Sequence, residues 1–153
     1  MQNRGNQTMI NIICSGKIKE KYLTDLIDDY KSRISKYHKI NIIELKDLNN
    51  LEEEAENILK YLSDKDFIIT CDIKGKNYSS EDFAKLIEQS FIKHGTISFI
   101  IGSSEGISDK IKKRANTSIS FSNMTMPHGL FRGVLLEQIY RSFKINNNEK
   151  YHK

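Results

Sequence analysis

The sequence holds one proline, two cysteines, no tryptophan and only five arginines among its 153 residues. Two cysteines, Cys14 and Cys71, are too few for a disulfide scaffold, and without an export signal they point to a reducing, cytoplasmic setting. No apolar run approaches the roughly 18 residues of a membrane span, so no membrane association is expected. No repeat or linker-like stretch divides the chain, and its length suits one domain. The missing motifs exclude whole classes of chemistry. There is no G-x-x-x-x-G-K-[ST] loop for a nucleotide hydrolase and no G-x-G-x-x-G after the first apolar run. There is no G-x-S-x-G elbow for a serine hydrolase, and no Cys/His spacing suits zinc, so no metal is expected.

What is present is an ordinary folding composition, 38% hydrophobic and 29% charged. The polar residues 1–8 precede a second methionine, Met9, and read as a leader outside a single domain spanning 9–153. Short apolar runs alternate with helical periodicity. Strands are expected at Met9–Ser15, Lys39–Leu45, Asp66–Ile73 (closed by Lys74-Gly75-Lys76), Thr96–Ile101 and Thr117–Phe121. Helices are expected at Ile18–Ser35, Glu52–Leu62, Ser80–Phe91, Ser108–Ala115 and His128–Phe143, with Ser79 or Ser80 capping the third. The strands are continuous apolar runs without in–out alternation, which buries both sheet faces. The expectation is a single-domain α/β fold with a mostly parallel sheet flanked by helices. Ligands of such sheets sit beyond the strands' carboxyl ends, here Gly16, Asp72–Gly75, Gly102–Gly106 and Ser122–Pro127.

Charge is unevenly spread. Residues 107–153 carry +6 of a net +4, so the remainder carries −2. A basic final third on a slightly acidic body suits a polyanionic partner, although abundant lysine produces solvated faces as well. Lys110, Lys112, Lys113 and Arg114 are the densest cluster and would attract phosphates without regard to sequence.

Three further features lie in this third. Gly102-Ser-Ser-Glu-Gly106 fits a cofactor loop or a plain strand-to-helix turn. Ser120-Phe-Ser-Asn-Met-Thr-Met-Pro-His128 carries the lone proline. It can offer backbone hydrogen bonds and soft methionine contacts to a flat heterocycle, or serve as a connection. The terminal Tyr151-His152-Lys153 is either frayed or able to stack on and steer an RNA base. Cys14 and Cys71 lie in apolar strands and read as small core residues.

Taken together, Gly102–Ile107, Ser120–His128, Arg132 with Leu136-Glu-Gln-Ile-Tyr-Arg-Ser-Phe-Lys-Ile145, and Tyr151–Lys153 closely resemble the RlmH family. These are SPOUT-class methyltransferases acting on a pseudouridine of large-subunit ribosomal RNA. The resemblance spans Met9 to Lys153 and includes Gly16-Lys-Ile-Lys19 and Ile73-Lys-Gly-Lys76. It implies a deep C-terminal trefoil knot, a homodimer and S-adenosylmethionine as cofactor. The cofactor contacts it implies fall on Cys71, Gly102, Ser103, Gly106, Ser122, Asn123, Met124, Thr125, Met126 and Pro127. The family usually has Leu at position 71 and commonly Gly at position 103.

With the resemblance, Tyr151, His152 and Arg132 become the catalytic candidates: His152 to accept the N3 proton, Arg132 to stabilise charge on a carbonyl oxygen. His128 suits capping and packing as well as catalysis. Glu137 and Arg141 suit support of the dimer or loop. His128, Arg141 and Lys153 join Lys110, Lys112, Lys113 and Arg114 on the RNA-facing side. With few cations and no separate RNA-binding domain, a ribosome-sized preformed substrate is expected. The rival readings are a SPOUT enzyme with another target, such as a transfer RNA, and a ribosome-binding module without catalysis.

Overall fold

A computed structural model describes residues 8–153. The expected leader therefore lies outside the described residues except for Thr8, whose hydroxyl hydrogen-bonds the His38 ring. The elements alternate: β1 (Met9–Ser15), α1 (Lys21–Ile34), β2 (Lys39–Leu45), α2 (Leu51–Leu59), β3 (Phe67–Asn77), α3 (Ser80–His94), β4 (Thr96–Ile101), α4 (Asp109–Arg114), β5 (Thr117–Ser120) and α5 (His128–Asn146). The five strands form one sheet in the order β2-β1-β4-β3-β5, and all neighbours are parallel. The expected α/β architecture is the one found.

Strand pleating sorts the apolar runs onto two faces. Ile10, Ile12, Ile69, Phe99 and Ile119 pack with Ile27 and Ile34 of α1, Phe83 and Ile87 of α3, and Leu135, Leu136, Ile139 and Phe143 of α5. Ile13, Ile68 and Ile100 meet Ala55 and Ile58 of α2 and Ile111 of α4 on the other face. Phe83 and Phe99 are among the largest fully buried side chains, and such burial contributes about 1.5–3 kcal/mol each.

The boundaries depart from expectation where tertiary contacts decide them. α1 starts at Lys21, with Glu20 as its N-cap, because Gly16 turns with a φ of 91° and delays the helix. α2 is capped by Asn50, whose side chain accepts from the Glu52 and Glu53 amides. α3 uses Ser79 as its cap, and Gly95 at φ 78° ends it three residues later than expected. Lys74-Gly75-Lys76 does not close β3. After an irregularity the strand continues and pairs Lys76 and Asn77 with β5.

One feature of the topology prepares the site. α4 packs on the α2 face, whereas α5 packs on the α1/α3 face. Residues 121–127 must therefore carry the chain from one face to the other, past the carboxyl end of β5.

Candidate functional site

That crossing segment forms one wall of a pocket beyond the carboxyl ends of β3, β4 and β5. The pocket encloses about 810 Å³, counting its open mouth. Cys71, Asp72 and Ile73 line it from β3, Gly102, Ser103, Ser104 and Gly106 from the loop after β4, and Ser122, Met124, Thr125 and Met126 from the crossing segment. His128 and Phe131 close it from the first turns of α5.

The loop after β4 is folded tightly by its glycines. Gly106 adopts φ 94°, and its amide donates to the Ser103 carbonyl at 2.9 Å. At Gly102 a β-carbon would stand 2.3 Å from the Gly106 carbonyl oxygen and 2.7 Å from Ile107 Cγ1. Only glycine allows the two backbone segments to approach this closely. Behind the loop, the Ser103 hydroxyl donates to Glu54 at 2.9 Å and the Ser108 hydroxyl to Glu52 at 3.1 Å. Across the pocket, the Ser122 hydroxyl accepts from the Met124 amide at 2.9 Å and shapes the turn that presents the two methionines.

Asp72 is the charged group in this wall. Burial works to raise its pKa, but the Lys74 amide donating to it and the Lys112 ammonium at 3.1 Å outweigh that and hold the carboxyl below its usual range. Cys71 stands beside it, and burial pushes its thiol pKa well up. The buried Cys14 thiol is likewise pushed up to about 12, against a smaller opposing pull from Arg132. Both thiols stay protonated at neutral pH and are poor nucleophiles. The native protein should therefore show almost no reaction with a chromogenic disulfide reagent at neutral pH and release two equivalents once denatured. Rapid labelling of Cys71 in the native state would contradict its assigned environment.

Eight of the ten expected cofactor-contact residues line this pocket: Cys71, Gly102, Ser103, Gly106, Ser122, Met124, Thr125 and Met126. Asn123 and Pro127 are exposed and lie outside the lining. Pro127 instead sits at the N-cap of α5, its carbonyl accepting from the Phe131 amide at 2.9 Å. Asp72, Ser104 and Phe121 fall in segments expected near a ligand but were not named as cofactor contacts, and Phe131 was not anticipated at all. For Asp72 a signal existed, since it follows Cys71 at a strand's carboxyl end.

The expected catalytic trio is not assembled at this pocket in the single chain. Arg132 is 3% exposed and faces the ends of β1 and β2. It donates through Nη1 to Glu44 at 2.5 Å and through Nη2 to the Gly16 carbonyl at 3.3 Å, while its buried Nε has no partner. This guanidinium occupies the carboxyl end of β1, which the sequence had offered as a ligand site.

The terminal residues are neither frayed nor at the pocket; none of residues 147–153 lines it. The Tyr151 ring packs edge-on against Tyr140 at 5.0 Å under the Arg141 guanidinium at 4.8 Å. Its hydroxyl donates to Glu137 at 2.9 Å and lies 3.2 Å from the Tyr30 hydroxyl. Burial, reinforced by these hydrogen bonds, pushes the phenol's pKa up. His152 Nδ1 is 3.1 Å from Arg141 Nη1, and its Nε2 is 2.7 Å from a Glu81 oxygen. A guanidinium only donates, so Nδ1 must accept and Nε2 must carry the proton toward Glu81. Arg141 also grips Glu137 at 2.7 Å, which makes it the hub of the docked tail.

Most cations of the basic cluster are already engaged. Lys110 pairs with Glu56 at 2.5 Å, Lys112 with Asp72 and Arg114 with Asp64 at 2.9 Å. Lys113 and Lys153 are exposed, with no ion pair among the described residues. Among those residues no cluster of metal-ligating side chains occurs, and no helix is long and apolar enough to cross a membrane.

A family model described as predicted SPOUT methyltransferase matches residues 8–152. The chain is 48% identical to a ribosomal RNA large subunit methyltransferase H of Clostridium botulinum (strain Kyoto / Type A2), over 94% of this chain and 99% of the relative. It is 46% identical, over the same shares, to the protein of that name from strain Alaska E43 / Type E3. Solved structures share the fold at 10% identity. A probable methylase family protein from Haemophilus influenzae Rd KW20 superposes with a TM-score of 0.55, over 97% of this chain and 71% of that one. The SpoU methyltransferase AviRb from Streptomyces viridochromogenes, in complex with the cofactor AdoMet, gives 0.51 over 90% and 58%.

Proposed function

Since this chain belongs to the SPOUT methyltransferase family, and within it to the RlmH family, we propose that it is a ribosomal RNA methyltransferase that modifies N3 of a pseudouridine in the large subunit. The reading includes S-adenosylmethionine as methyl donor, a homodimer as the active form, the cytoplasm as its place and the assembled ribosome as its substrate. It also includes a trefoil knot formed where residues 121–127 change faces of the sheet.

The observation that carries the reading is the pocket between the Gly102–Gly106 loop and residues 122–126. Its chemistry fits the cofactor. Closely folded backbone on one side and methionine with Phe121 and Phe131 on the other suit a flat adenine and its polar edge. The Asp72 carboxylate, held in its charged form, suits a hydroxyl or a cation. When bound, S-adenosylmethionine supplies a methyl group on a positively charged sulfur that departs as a neutral thioether.

The chain's own work is positioning and proton removal. Orientation of two reactants can lower a barrier by several kcal/mol, about 7–11 in the best intramolecular cases. Proton removal falls to His152 in this proposal. Its accepting nitrogen is occupied by Arg141 in the docked tail, so His152 becomes a base when the tail leaves that contact. Tyr151, held protonated, serves as a ring to stack on and a hydroxyl to donate. The proposed charge stabilisation by Arg132 requires that its guanidinium leave the enclosure made by Glu44 and the Gly16 carbonyl, because its unpartnered Nε is buried there. His128 and Phe131 line the pocket, and the proposal has them meet the base that enters it. Arg141, Lys113 and Lys153 complete the proposed RNA-facing set, with Lys110, Lys112 and Arg114 contributing as their acidic partners exchange for phosphate.

The deciding experiment supplies labelled cofactor to whole ribosomes, to deproteinised ribosomal RNA and to transfer RNA, and maps any modified base. Label at N3 of one large-subunit pseudouridine, on whole ribosomes above all, is the expected result. Label confined to transfer RNA would reassign the target. Ribosome binding with neither label nor cofactor affinity would make the protein a binding module.

A further inference from the structure

Behind the cofactor loop, away from the pocket, lies a carboxylate that the proposed reaction does not use. Glu54 of α2 is 4% exposed. One of its oxygens accepts from the Ser103 hydroxyl at 2.9 Å, the other from the Leu48 amide at 3.1 Å. No lysine or arginine pairs with it among the described residues. A buried polar group is costly unless its hydrogen bonds are kept, so Glu54 resists any movement of its partners.

Its partners are informative. Ser103 follows Gly102 and is itself 4% exposed; its carbonyl closes the loop by accepting from the Gly106 amide. Its hydroxyl oxygen also receives the Glu105 amide at 3.3 Å. Glu52, in the first turn of the same helix, holds the Ser108 hydroxyl at the loop's other end. The start of α2, itself fixed by the Asn50 cap, thus grips both ends of the pocket wall from behind. The Leu48 contact ties the same carboxylate to the segment between β2 and α2.

We propose that Glu54 is a positioning residue for cofactor binding. It fixes the Ser103 hydroxyl and so holds the Gly102–Gly106 turn in the shape that the cofactor meets. This rests on the reading of the pocket as an S-adenosylmethionine site.

The test is calorimetric titration of S-adenosylmethionine and of its demethylated product into the full-length protein and into Ser103→Ala, Glu54→Ala and the double variant. Ser103→Ala should weaken binding about tenfold, as loss of one hydrogen bond to a charged group predicts. Glu54→Ala should weaken it at least as much. The double variant should be no worse than Glu54→Ala, because both changes remove one interaction. In turnover, KM for the cofactor should rise while kcat at saturation holds, a split that general destabilisation does not produce. If Glu54→Ala does not fold, Ser103→Ala carries the test alone. Tight binding by the parent with affinity unchanged within twofold in Ser103→Ala would overturn the role of Glu54 and leave the pocket reading standing. No cofactor binding by the parent would overturn both.

Discussion

Replacing Gly102 by alanine is expected to weaken cofactor binding about 100-fold while leaving the sheet folded. The new β-carbon would stand 2.3 Å from the Gly106 carbonyl oxygen and 2.9 Å from the Gly106 carbonyl carbon. These are backbone atoms, so the clash cannot be relieved by a side-chain rotation. The loop must open instead, and opening breaks the Gly106–Ser103 hydrogen bond that closes it. A displacement of about 1 Å at a positioning element costs on the order of 100-fold. We therefore expect S-adenosylmethionine affinity to fall by about that factor, measured by calorimetry, with circular dichroism unchanged. β4 ends at Ile101, before the strained position, so its pairing with β1 and β3 survives. Affinity within threefold of the parent would show that this loop does not form the cofactor wall.

Deleting Tyr151 to Lys153 is expected to have the opposite signature. Cofactor affinity should be nearly unchanged, because no residue of the tail lines the pocket. Methyl transfer should fall by about 10²–10⁴, the range for loss of a general base. Stability should fall modestly, since the deletion removes the Tyr151–Tyr140 packing and the hydrogen bonds to Glu137 and Tyr30. Full single-turnover activity without the tail would remove Tyr151 and His152 from the reaction.

The two variants together test how a docked tail and a separate pocket become one site. In a homodimer the tail of one copy can serve the pocket of the other. Mixing the Gly102→Ala and tail-deleted chains would then restore part of the activity, since some dimers hold one intact pocket and one intact tail. Two inactive preparations that stay inactive after exchange of subunits would tie each tail to its own pocket.

How much of this was legible in the residues depends on how local the signal was. β1 and β4 stand where their apolar runs put them, because both faces of those strands are covered and the run itself records that burial. The loop glycines and the methionine segment were legible for a similar reason: backbone that must approach a ligand leaves a mark in composition. β3 was misread at its end. Lys74-Gly75-Lys76 has the composition of a turn, yet Gly75 lies against the Ile119 backbone, where a β-carbon would be only 2.7 Å away. That glycine serves close strand approach, and its partner is more than forty residues on. Arg132 was the harder case. A basic residue on an amphipathic helix looks available for catalysis, and nothing nearby announces that Glu44 and the Gly16 carbonyl will enclose it. The docked tail escaped notice likewise, since Tyr30 and Glu81 come from two different helices.

The Arg132 contacts also constrain when the protein can finish folding. They join α5 to residues 88 and 116 positions earlier, and α5 supplies Leu135, Leu136, Ile139 and Phe143 to the larger core. Contacts this distant in sequence close slowly, because the chain entropy of a long loop is lost before the contact forms. During synthesis β1 and β2 emerge first, yet the groups that satisfy their ends are among the last to appear. The early strands therefore keep the α5-covered part of one apolar face open until that helix has been made. A nascent chain arrested before residue 128 thus lacks both the Arg132 contacts and the α5 side chains of the larger core.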